Sequence, residues 1–161
     1  MKLSRVLVMG VAAAAVFSAC SDSSGPAEVD NVLLQQWTGP HGGVPPFDKV
    51  EVADMQPALE QGMESALAEM DAIADTDGPA TFENTIAALE RSGEGLDRAA
   101  TIYYVWSSTM SSDEFREVES AMEPKLAAFR DRIYQNAGLF EKVAEVYENR
   151  GGLTPEQQRL T

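Results

Sequence analysis

Between Phe82 and Ser107, apolar and small residues recur every three or four positions, at Phe82, Ile86, Leu89, Gly93, Leu96, Ala100, Tyr103 and Ser107. That spacing sets them on one face of a helix about seven turns long and is incompatible with the two-residue repeat of a strand. Thr81 stands before the stripe as an N-cap, its hydroxyl able to accept from a free first-turn amide. Glu83 follows, where a negative charge favours the positive end of the helix dipole. The pattern predicts one long central helix over 82–109, strained rather than broken by Gly93 and Gly95. Small residues on a buried stripe also predict a second helix passing close by.

The flanking sequence supplies helices to pack against it. Asp54 reads as the cap of a helix with Pro57 in its first turn, where a missing amide is tolerated. Leu59, Met63, Leu67, Met70 and Ile73 or Ala74 follow at helical spacing, and Asp77-Gly78-Pro79 stops that helix near Asp75. Met55, Met63 and Met70 stand beside leucines and read as core fillers rather than a soft-metal site. Ser111-Ser112-Asp113-Glu114 reads as a capping box ahead of a helix carrying Phe115, Val118, Met122, Leu126, Phe129 and Ile133. Pro124 inside it removes one backbone bond and predicts a kink. Asn136 caps a shorter helix with Leu139, Phe140, Val143, Val146 and Tyr147 on its apolar side, which Gly151-Gly152 ends.

Ahead of the helices, residues 31–50 are rich in Gly and Pro, which deny helix and permit tight turns. They predict an extended strap over the helices, with Trp37 and Phe47 inserted. No strand pattern competes. The expected fold is all-α: an antiparallel bundle of about four helices plus the start of a fifth, preceded by the strap. The fifth begins at Thr154-Pro155-Glu156-Gln157, a second capping box with Pro at the first helical position. Helix nucleation is costly, so so complete a start signal is expected to lead into a helix continuing past Thr161.

Residues 1–19 read as a lipoprotein signal peptide. Lys2 and Arg5 precede an apolar run, Val6 to Phe17, too short to span a bilayer comfortably. Phe17-Ser18-Ala19-Cys20 resembles a lipobox, with Phe where Leu is usual. Cys20, the sole cysteine, is therefore the expected lipidation site, and no intramolecular disulfide is available. Residues 20–30 read as a disordered tether, leaving 31–161 as the helical domain. These features place the protein in a bacterial cell envelope, facing the periplasm and held to a membrane by its lipid.

The chain has 12 basic and 26 acidic side chains, a net charge of −14. Such a surface repels phosphate backbones, so no nucleic-acid partner is expected. Its one histidine, His41, reads as an exposed loop residue, and zinc hydrolysis needs several nitrogen or sulfur ligands with an open position for water. Glu117 and Glu119, and Glu141 and Glu145, read as solvated charge on polar helix faces. No Gly-x-Ser-x-Gly turn surrounds any serine. No catalytic residue and no metal ligand is assigned.

Three blocks carry a family resemblance. Thr81 to Glu90 with Arg91-Ser92-Gly93 is similar to an N-terminal signature of the zinc-dependent peptidyl-dipeptidases, the relatives of oligopeptidase A and thimet oligopeptidase. Asn31 to Pro40 with Gly42 to Asp48, and Leu153 to Leu160, agree with it in order and spacing. The family cuts peptides with one zinc ion held by His-Glu-x-x-His and a distant Glu, none of which maps here; it tends to carry an aromatic residue where this chain has His41. The resemblance implies the N-terminal helical part of a longer zinc enzyme, inactive alone and without a cofactor of its own. It would shape a channel for short peptides, with the remainder of the peptidase as partner. The alternative is a self-contained helical lipoprotein that binds a partner or peptide without catalysis.

Overall fold

The computed structural model describes residues 31–161, so the expected signal peptide over 1–19, the expected lipidation site Cys20 and the expected tether over 20–30 lie outside the described residues. Helix α1 spans Val52–Ala74. A turn of π-helix, Phe82–Ile86, leads into the short α2, Ala87–Arg91. Then come α3 (Glu94–Thr109), α4 (Asp113–Tyr134), α5 (Ala137–Glu148) and α6 (Pro155–Leu160). Among the described residues no strand forms; Thr38 and Val44 make an isolated antiparallel bridge.

The predicted long helix over 82–109 is broken. Ser92 is extended and Gly93 adopts a left-handed φ of 77°, a conformation glycine reaches without a Cβ penalty. Its amide donates to the Glu69 carboxylate of α1 at 2.8 Å, which holds the elbow in place. The helix start at Thr81 is as read: its hydroxyl accepts from the Asn84 amide at 3.1 Å, and the Asn84 side chain accepts from the Thr81 amide at 2.7 Å. The first turn is wide, with the Ala87 amide reaching back to Phe82.

Two further starts shift. The N-cap of α1 is Glu51 rather than Asp54, whose carboxylate accepts from the Glu51 amide at 3.2 Å. Pro57 consequently lies inside the helix. It and Ala53, the residue four earlier whose carbonyl loses its partner, are both exposed, so water reaches the freed group. In α4 the cap is Ser112, accepting from the Phe115 amide at 3.1 Å, and Glu114 takes no part in a box. The helix runs on through Pro124, with Pro124 and Ser120 both exposed. Asn136 and Thr154 cap α5 and α6 as expected.

The hub is α1, not the segment 82–109. It packs against α3, α4 and α5, and about 1.5 Å of rise per residue makes its 23 residues long enough to reach all three. A Cβ on Gly62 would stand 2.9 Å from Leu96 Cα, and one on Gly93 3.5 Å from Ala66 Cβ, so α3 runs antiparallel to α1. Glu60 pairs with Lys125, and Asp71 accepts from Asn136 at 3.0 Å, so α4 runs parallel to α1. The result is an up, down, up arrangement around a core in which Leu33, Met55, Leu59, Ile102, Phe115 and Met122 are fully buried. Each such side chain contributes about 1.5–3 kcal/mol by leaving water. A smaller cluster joins Ala80 and Ile86 to Val146 of α5. There Lys142 donates to the Thr76 carbonyl at 2.6 Å and the Gly78 carbonyl at 3.0 Å, closing the loop before Thr81.

The strap is held at both ends. Buried Asn31 donates to the Asp54 carbonyl at 2.8 Å, Leu33 enters the core, and Arg98 of α3 donates to the Leu34 carbonyl at 2.9 Å. Trp37 is half-buried. Phe47 stays 42% exposed while stacking on Trp106 at 6.3 Å, so it covers the core rather than inserting into it.

Candidate functional site

The residues singled out in the sequence do not converge on one site. Cys20 lies outside the described residues. His41 is exposed in the turn Pro40–Gly42, at a φ of 60°. Met55 and Met63 are core and Met70 half-buried. Glu117 and Glu141 are exposed as expected and Glu145 is half-buried. Among the described residues no three His, Cys, Asp or Glu side chains gather as a metal site.

Glu119 departs from its reading as solvated charge. It is half-buried and accepts from the Ser107 hydroxyl of α3 at 2.5 Å. The bond belongs to a groove of about 240 Å³ between α3 and α4. Tyr103, Tyr104 and Ser107 line one side; Glu119, Glu123 and Arg130 the other, with Leu126 at the floor. The rings of Tyr103 and Tyr104 meet edge to face at 5.3 Å, and Phe115 backs Tyr103 at the same distance. Arg130 donates to the Tyr104 hydroxyl at 3.4 Å. Tyr103 is only 4% exposed. Burial first, then the nearby carboxylates and Tyr104, push its phenol up to about 12, because each disfavours the phenolate.

A second cavity, of about 330 Å³, sits at the elbow between α2 and α3. Its charged groups are largely engaged in structure: Glu69 on the Gly93 amide, Arg98 on Leu34 and Glu94. The Gln61 carbonyl oxygen there is buried and has no hydrogen-bond partner among the described residues. A third, more open trough of about 470 Å³ runs between α1 and α4 past Leu67, Asp71 and Arg132.

Sequence reasoning missed the α3–α4 groove. Its signal was present as Glu119, Glu123, Leu126 and Arg130, which share one edge of α4 beside the core stripe. Helical spacing alone does not say whether such an edge meets water or another helix.

Over 132 residues, 81% of its length, the chain is 33% identical to the dipeptidyl carboxypeptidase of Salmonella typhimurium. Over the same length it is 35% identical to that of Escherichia coli. It spans 19% of each of those proteins. No protein-family model matches the chain.

Proposed function

We propose that this chain, a homologue of the dipeptidyl carboxypeptidases across 81% of its length, is a helical wall of a zinc peptidyl-dipeptidase. In this reading it shapes a channel for short peptides and leaves the chemistry to the rest of such an enzyme. The observation that carries the reading is the 33–35% identity to proteins of which the chain spans only 19%. The donor set agrees with it. Zinc sites draw on imidazole and thiolate, and this chain has one histidine and one cysteine. Its residues do not fit a zinc ion, and no catalytic step is derived through one.

The apolar surface of the distal helices also supports a wall. Tyr134 is 86% and Phe140 71% exposed. Phe140, Ala144 and Tyr147 share one face of α5 at helical spacing, and Arg150 lies 3.6 Å over the Tyr147 ring. An adjoining body of the peptidase would bury that face.

Two experiments separate the parts of this proposal. Purified alone, the chain is expected to show no sub-micromolar zinc binding in calorimetry and no cleavage of a quenched peptide. Tight zinc binding with chelator-sensitive cleavage would overturn the non-catalytic role. The envelope location rests on the lipobox at Cys20. Cys20→Ser is expected to abolish incorporation of a fatty-acid analogue, since only the thiol accepts the acyl-glycerol; equal labelling of the variant would remove the anchor from the account.

A further inference from the structure

The two ends of α1 present different surfaces, and the proposed channel wall takes up only one of them. The α5 face offered to a peptidase body lies at the C-terminal end. There the Asn136 side chain donates to Asp71, and a Cβ on Gly138 would stand 3.4 Å from Ala74 Cβ. At the opposite end the strap enters, α3 finishes and α4 begins. Asn31 donates to the Asp54 carbonyl in the first turn of α1, and Phe47 stacks on Trp106 in the last turn of α3. Met110 follows Trp106 by one turn, its amide donating to the Trp106 carbonyl at 2.8 Å, so Phe47 and Met110 both adjoin that buried ring. Phe47 is 42% exposed, Met110 52%, and Val44, three residues before Phe47 in the strap, 51%.

We infer, resting on the proposed lipid attachment at Cys20, that this end of the molecule lies on a lipid surface, with Val44, Phe47 and Met110 set among the headgroups. Only ten residues separate Cys20 from Asn31, a reach of at most about 35 Å even when fully extended. Helix α1 is itself about 35 Å long. A lipid on Cys20 therefore confines the end carrying Val44, Phe47 and Met110 to the layer next to the membrane and leaves the α5 end free to stand away from it. Apolar side chains held there gain by leaving water. The charge around them selects the lipid. Asp48, Glu51, Asp113 and Glu114 are exposed at this end against Lys49 and Arg116, so headgroups without net charge are accepted and anionic ones repelled.

The test uses the full chain, expressed in cells fed a fatty-acid analogue, purified and reconstituted into phosphatidylcholine vesicles. Lipidation consumes the thiol of Cys20, the sole cysteine, so a nitroxide can be placed on one introduced thiol. Ser111→Cys puts it beside Met110 and Gln135→Cys at the far end of α4, both exposed positions. Oxygen gathers in lipid and a nickel chelate in water, so their relative effects on the EPR signal read depth. The label at 111 is expected in the lipid interface and the label at 135 in water. Val44→Asp combined with Met110→Asp keeps the Phe47–Trp106 contact and should return the label at 111 to water, whereas Tyr134→Asp should not move it. Phosphatidylglycerol added to the vesicles should also move that label outward. Uptake of the fatty acid with both labels in water would overturn the inference and leave the anchor standing; no uptake would remove both. A label at 111 indifferent to the aspartate pair, or drawn deeper by phosphatidylglycerol, would overturn the inference as well. So would one shielded from both relaxants, which would place a protein surface there, a second copy of the chain included.

Discussion

At Gly62 a hydrogen atom is all that separates α1 from the backbone of α3. A Cβ there would lie 2.9 Å from Leu96 Cα and 3.2 Å from Leu96 Cβ, and backbone cannot rotate away as a flexible side chain can. Alanine is ordinarily favoured over glycine inside a helix by about 1 kcal/mol, so this position gives the sign of the effect its meaning. Gly62→Ala is expected to destabilise the chain by about 1–3 kcal/mol through overpacking, read as a lowered midpoint in urea unfolding. A raised midpoint would mean that the helices are free to part. The stripe beginning at Phe82 implies a close neighbour, and its Gly93 does meet Ala66 of α1, but the tightest approach is at Gly62 on the neighbouring helix. Glu119 taught the same lesson, since its spacing gave its edge of α4 but not what stood across from it.

Element by element, the ends of helices were more legible than their continuity. Thr81, Asn136 and Thr154 carry local chemistry, and each caps as read because a side-chain oxygen three residues from a free amide acts without tertiary help. The break at Gly93 depends on partners outside its own segment, above all the Glu69 carboxylate of α1, and periodicity ran straight through it. Pro57 misled because it is common in a first turn, whereas here its exposed side tolerates an interior position. The elbow makes an exacting pair of variants. Gly93→Ala keeps an ordinary contact with Ala66, 3.5 Å away, but forces alanine to a φ of 77°, at a cost of about 1–2 kcal/mol. Gly95→Ala, two residues on in the first turn of α3, has 3.7 Å of clearance and should stabilise by about 0.4–1 kcal/mol. Opposite shifts in thermal midpoint are expected; equal ones would show that the elbow does not need its left-handed residue.

For the whole molecule, the all-α class and the antiparallel succession of helices followed from spacing, but the choice of hub did not. The longest apolar stripe, 82–107, suggested the centre, yet the core is organised by α1, whose buried residues Met55, Leu59, Gly62, Met63, Ala66 and Ile73 meet three neighbours. A helix at the hub needs small and large residues distributed over a wide face, a property of the assembled structure rather than of one stripe. The same assembly leaves Tyr134 and Phe140 exposed, which with the kinship motivates the proposed place of the chain as a structural part of a peptidase. The most direct measurement grafts this chain's homologous segment into the Escherichia coli dipeptidyl carboxypeptidase in place of its own, then follows release of dipeptides from the C-terminus of a peptide. The account predicts a soluble chimera that retains cleavage, against an inactive protein from which the segment is simply deleted. A folded chimera as inactive as the deletion would contradict it and favour a self-contained helical lipoprotein.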